Sequence, residues 1–310
     1  MFFRQLTFFR FPKSGAEAFD DGLAKRLKKH ALRPCGPLET QTRGWVSPYG
    51  RGDDAFMHQM GAYTLLTLGG EDKLLPPAVV NESVARKIEA LEAQRGKRIG
   101  GRERKRLKDE ALHDLLPKAF VKPSRMSAYA YADAKAGWLL VDTASRKQAE
   151  GFLTVLRETV ETFPAQPPDP EESPRALMTT WLTGGKLPEG FSLGDECELK
   201  DPSDRGAVAR CRRQDLESDE VREHLKSGKQ VTQLGLVVDG HVSFTLGEDL
   251  AVRKLRFLDA VVEELEATDR DSPRSEIDAR FAVMTLTLKP VLERLDEVFR
   301  LPRPSDRGRR

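Results

Sequence analysis

Cysteine is scarce: Cys35, Cys197 and Cys211 are odd in number and widely spaced. That excludes a disulfide scaffold and a tetrahedral all-cysteine site built by one chain, and it fits a reducing cytoplasm. No apolar run approaches the length needed to cross a bilayer, and Arg4 and Arg10 bracket the short apolar start, so no secretory pattern and no membrane partner are expected. The five histidines, His30, His58, His113, His224 and His241, are scattered and read as surface or core residues rather than as a metal site. Gly184-Gly185-Lys186-Leu187 lacks the final hydroxyl and the upstream glycine of a phosphate-cradling loop, so it reads as a turn. A zinc-protease helix and a nucleophile elbow are both missing. Asp53-Asp54 and Asp109-Glu110 are adjacent pairs whose side chains diverge, so they read as solvated or paired to arginines rather than as acid and base. Cys35 has no basic residue arranged to activate it and reads as a buried structural thiol. The expectation is a protein that is not an enzyme and carries no cofactor and no metal.

What is present is charge, and it is segregated. The 310 residues suggest two or three domains, 39% are hydrophobic and 32% charged, and the net charge is only +2. Yet Arg95, Lys97, Arg98, Arg102, Arg104, Lys105, Arg106 and Lys108 are opposed by Glu103 alone. Further basic clusters are Lys25, Arg26, Lys28, Lys29 and Arg33; Arg210, Arg212 and Arg213; and Arg253, Lys254 and Arg256. Acids collect at Asp169–Glu172 and Glu263–Asp271. Such clusters are either solvated helix faces or a surface for a polyanion. Sparse aromatics near them argue against a single-strand stacking platform, and no base-reading motif is present, so they imply backbone binding with little sequence preference.

The spacing predicts a strand over Phe2–Phe11 and a helix over residues 15–30 with Phe19, Leu23 and Leu27 on one face. Strands follow at Gly44-Trp45-Val46 and Tyr63–Leu68. Val84, Ile88 and Leu91, then Leu107, Ala111 and Leu115, predict two antiparallel helices joined by a glycine-containing basic loop. Tyr129 and Tyr131, a turn near Asp133–Gly137 and Trp138–Val141 form a hairpin, followed by a helix with Ala149, Phe152, Leu156 and Val160 on one face. The five prolines of Phe163–Arg175 read as a domain boundary. Val231–Leu246 is a hairpin turning at Asp239-Gly240, and Leu255, Leu258, Val262 and Leu265 predict a helix after it. Hairpin-then-helix thus occurs twice, as a weak internal repeat or simply as a common unit. A last helix runs from near Ile277 to Arg300, kinked or broken at Pro290, before a basic tail.

Pro34-Cys35-Gly36, Gly44-Trp45-Val46-x-Pro48, Leu75-Pro76, Leu107-Lys108-Asp109-Glu110, Leu115-Leu116-Pro117-Lys118-Ala119-Phe120, Val141-Asp142, Gly190-Phe191, Glu198-Leu199-Lys200, Gln214-Asp215-Leu216 and Lys254-Leu255-Arg256-Phe257 occur in this order. The chain resembles the RdgC family of bacterial recombination-associated proteins, end to end except for the tail after Leu301. The resemblance implies an α+β fold: a central domain of residues 1–76 and 121–165, a projecting helical-hairpin tip of 77–120 and a related base domain of 166–301; the tail of 302–310, outside the resemblance, reads as basic and disordered. It implies a ring-forming homodimer, joined tip to tip and base to base, that encircles double-stranded DNA in the cytoplasm at the nucleoid and antagonises RecA without catalysis. Arg213-Gln214 falls where the family has a basic residue and a glutamine facing DNA; Lys97 and Lys229 fall at basic positions, and Arg98 and Arg102 extend the cluster at the tip. Phe120, an apolar residue between Lys118 and Lys122, matches the dimer contact at the tip. The rival reading is a protein-interaction module acting directly on RecA or a replication factor, with a nuclease a more distant alternative.

Overall fold

The computed structural model describes residues 2–133, 137–203, 206–259, 261, 263 and 272–305. It is a mixed α/β structure with two sheets. The first has six strands in the order β1-β6-β5-β4-β2, with β3 also on β4: β1 (Thr7–Arg10), β2 (Gln41–Val46), β3 (Met57–Met60), β4 (Tyr63–Leu74), β5 (Phe120–Ala132) and β6 (Gly137–Val141). The second has five, ordered β11-β10-β9-β7-β8: β7 (Phe191–Lys200), β8 (Val208–Arg212), β9 (Gln230–Val238), β10 (Val242–Gly247) and β11 (Val252–Phe257). Helices are α1 (Leu23–Lys29), α2 (Pro77–Arg95), α3 (Gly101–Leu115), α4 (Arg146–Val160), α5 (Pro174–Leu182), α6 (Asp219–Lys226) and α7 (Pro273–Phe299). No helix among the described residues is long and apolar enough to cross a membrane.

The chain forms two compact units, one of residues 1–26, 47–66 and 127–310, the other of 27–46 and 67–126; β4 and β5 contribute to both. The larger unit has one contiguous core. Phe281, Met284, Leu288, Leu292, Leu295 and Phe299 recur at helical spacing along α7 and bury against Tyr129, Trp138 and Leu140 of the first sheet and Leu234, Leu236 and Phe244 of the second. This stripe passes through Pro290 within one continuous helix, so of the two expectations there, a kink or a break, the break is not met. Arg10 ties β1 to the end of the unit: it stacks over Trp138 and donates to Asp296 at 3.1 Å and to the carbonyl of Leu301 at 3.2 Å. Phe163 and Ala165, in the proline-rich stretch, are buried in this unit.

The smaller unit is thinner. Trp45 is wholly buried, and Gly44 is required beside it because a Cβ there would lie 2.4 Å from the Leu32 backbone. The predicted helix pair is present as α2 and α3, packed on each other through Leu107 and Ala111. Gly96 ends α2 in the left-handed conformation (φ 66°), its N–H on the Glu92 carbonyl, and buried Ile99 donates its N–H to the Glu92 carboxylate.

Four expectations are corrected. Residues 15–30 are not one helix: a 3₁₀ segment, Lys13–Phe19, stops at Asp20, whose side chain takes the Gly22 N–H and whose carbonyl takes that of Leu23, restarting the chain as α1. Phe19, Leu23 and Leu27 are buried all the same. The first strand is only Thr7–Arg10. Leu255 lies in strand β11, not in a helix, and Val262 and Leu265 fall outside the described residues. Cys35 is half-buried rather than buried, with its thiol 3.4 Å from the Glu39 carbonyl. The turn predicted near 133–137, most of the acidic run at 263–271 and the end of the tail also fall outside the described residues. Arg303, in the stretch expected to be disordered, donates to the Phe11 carbonyl at 3.0 Å.

Candidate nucleic-acid interface

One face of the second sheet is buried in the core, and the other is an open groove of about 900 Å³. Alternation along β8 exposes Arg210 and Arg212 on either side of half-buried Cys211. Beyond β8, Arg213 takes a left-handed turn (φ 52°), uncommon for a residue with a Cβ, and stands at the groove beside Arg212 and Gln214. From the opposite edge, β11 brings Lys254 and Arg256, with Lys254 also left-handed (φ 53°) where the register against β10 shifts. Two basic clusters more than forty residues apart in sequence thereby line one concavity.

The groove also holds acids, Asp195, Glu196 and Asp215, and of these Glu196 is committed to a cation. Glu196 accepts from Thr245 and pairs with Lys254. Burial pushes its carboxyl up, but Lys254 and Thr245 together outweigh burial and hold it below the ordinary value. Arg210 donates to Glu198 at 2.6 Å, which lowers that carboxyl in turn, helped by Thr232 at 3.1 Å. Among the described residues, neither Arg213 nor Arg256 has a carboxylate at ion-pair distance. Gln214 is half-buried: its amide donates to Glu220 at 2.5 Å, and its backbone N–H donates to the Asp195 carbonyl at 3.2 Å.

The other predicted residues lie elsewhere. Lys229 follows the left-handed Gly228 and is folded onto its own turn, 3.1 Å from Ser227 Oγ and 3.3 Å from His224 Nδ1; it does not line the groove. Lys97 and Arg98 are exposed in the α2–α3 loop and Arg102 on the first turn of α3, while Arg95 is paired with Glu103 at 2.7 Å and Arg106 with Glu110 at 3.3 Å. Phe120 opens β5 and is 83% exposed, next to Val121 at 42%. The adjacent carboxylates are paired to arginines as expected for Asp53, 2.7 Å from Arg274, and for Glu110. Among the described residues no group of three or more His, Cys, Asp or Glu side chains is placed to hold a metal.

Arg212, Lys254 and Arg256 were visible as charge but not as groove residues, because β8 and β11 sit at opposite edges of the sheet. Glu196 and Thr245 carried no charge-cluster signal. The one available hint was Gly235 in the middle of the run Leu234–Val238, a mark of close backbone approach.

A family model described as "Putative exonuclease, RdgC" matches residues 1–301. The chain is 48% identical over 303 residues to the recombination-associated protein RdgC of Stenotrophomonas maltophilia, covering 97% of this chain and 99% of the relative. It is 46% identical over 302 residues to that of Xanthomonas campestris pv. campestris, covering 97% and 98%. Against that of Xanthomonas oryzae pv. oryzae the identity is 45%, covering 97% and 99%.

Proposed function

The chain belongs to the RdgC family, and on that premise we propose that it binds duplex DNA with little sequence preference, as a ring-forming homodimer, and restrains RecA-promoted recombination without cutting DNA. The observation that carries the reading is the groove on the open face of the second sheet, where Arg212, Arg213, Lys254 and Arg256 converge. Such cations neutralise phosphates, and phosphate contacts fix position without carrying sequence information. The exposed cations Lys97, Arg98 and Arg102 form a second basic patch, and Phe120 supplies the apolar contact between the tips of two chains, in the division of 1–76 with 121–165, 77–120 and 166–301 set out above. An exonuclease, the activity in the family description, gathers carboxylates around metal ions. Glu196 and Glu198 are instead engaged by lysine, arginine and threonine, which favours binding over cleavage.

The test is fluorescence anisotropy with unrelated duplexes of equal length across a salt series. Affinities should be similar and fall with a log–log slope of roughly −0.9 per phosphate neutralised, several in all. A slope near one contact removes DNA as the main ligand and favours direct action on a protein. Shortening of end-labelled duplex with Mg²⁺ or Mn²⁺ defeats the non-catalytic part.

A further inference from the structure

Lys254 already holds an anion, and the sheet is built so that it can. Glu196 sits at a bulge in β7: Leu193 pairs with Leu236, and the next register pair is Cys197 with Leu234. Between Glu196 and its partners lies β9, at Gly235. A Cβ on Gly235 would stand 3.2 Å from Glu196 Cγ and 2.9 Å from its carbonyl oxygen. With no side chain there, Glu196 crosses β9 to Thr245 on β10 and Lys254 on β11. The hydroxyl of Thr245 takes one carboxylate oxygen and the Lys254 ammonium the other. Lys254 itself sits on the second irregularity, between β10 and β11. Two bulges and one glycine serve a single carboxylate.

We propose that Glu196 is a specificity-determining residue: its carboxylate fills the phosphate position at Lys254, so that the groove accepts a polyanion and rejects single phosphates. The inference rests on the duplex-binding reading above and adds to it the discrimination among anions. An anion on the same chain competes at an effective concentration in the millimolar range or above, which a dissolved phosphate rarely matches. A duplex is held instead by Arg213 and Arg256 and leaves the Glu196–Lys254 pair in place.

Glu196→Gln keeps an acceptor for Thr245 and removes the charge. Duplex affinity at about 0.1 M salt should rise about eightfold, with a slope steeper by about 0.9. Inorganic pyrophosphate should compete duplex off the variant at lower concentration than off the wild type. Glu196→Gln with Lys254→Met removes the pair together and should return affinity and slope to within about twofold of wild type. The proposal is overturned if Glu196→Gln, with unchanged melting, binds duplex as the wild type does, or if pyrophosphate competes equally with both. If the single variant does not fold, the double variant decides: an eightfold loss there means Lys254 already contacts phosphate in the wild type. A wild type without salt-dependent duplex binding defeats the parent reading instead, and the two failures are thereby told apart.

Discussion

Eight cations fall within residues 95–108 on the α2–α3 pair, while the groove of the second sheet gathers four. The larger number has the weaker backing. Only Ile99, Leu107 and Ala111 are buried within α3 and the loop before it, and the charges stand on long exposed stems. In the groove each strand-borne cation is held by a ladder whose other face is packed with Val231, Leu234, Leu236 and Phe244. Glu196 set against Lys254, one of the four, leaves Arg213 and Arg256 as groove cations with no carboxylate at ion-pair distance among the described residues. Charge density attracts a polyanion; charge at fixed spacing orders it.

The largest expected effect tests the backing itself. Leu234→Ala and Leu107→Ala both truncate buried side chains, and each should cost about 2–5 kcal/mol. Hydrogen exchange should show Leu234→Ala deprotecting β7, β9 and β10, and Leu107→Ala deprotecting α2 and α3. Helix amides still protected after Leu107→Ala would show that the thin stripe is not what holds the pair. Next in size is the contribution to binding. Arg213→Ala with Arg256→Ala should weaken duplex binding about tenfold or more and flatten the salt slope by roughly two contacts. Lys97→Ala, Arg98→Ala and Arg102→Ala together should lose less per charge; a larger loss per charge would make the helix pair the principal contact. Smallest is the effect of Phe120→Ala on stability, within about 0.5 kcal/mol because the ring is exposed, while sedimentation should show weakened self-association. A clear drop in melting temperature would make Phe120 part of a core.

Local physics was legible in the sequence. Helical periodicity marked α2, α3 and α4, and Asp239-Gly240 marked the β9–β10 turn, where both residues have positive φ. Phe19, Leu23 and Leu27 shared a buried face even though the helix type changes between them. What escaped was non-local. In β7 the bulge at Gly194–Glu196 interrupts the alternation that would announce a strand, and at Lys254 a bulge shifts the period so that Leu255 and Leu258 mimic helical spacing. The charge clusters were readable one by one, but a sequence does not state the order of strands in a sheet, so their meeting in one groove was not. Lys229 shows the converse: a basic residue in the expected place, folded onto its own turn by Ser227 and His224.

The clasp around Arg10 has a consequence for synthesis. One nitrogen of the guanidinium that β1 carries donates to the carbonyl of a residue 291 positions later. During translation the first strand therefore waits, with a buried-type arginine unpaired, until almost the whole described chain has left the ribosome. Contacts of such long range are slow to form and leave strand edges open meanwhile. The helix pair, whose partners are near neighbours in the chain, can assemble as it emerges. Nascent-chain protease protection should thus appear at α2 and α3 well before β1, and the unfinished larger unit is where chaperones would find their hold.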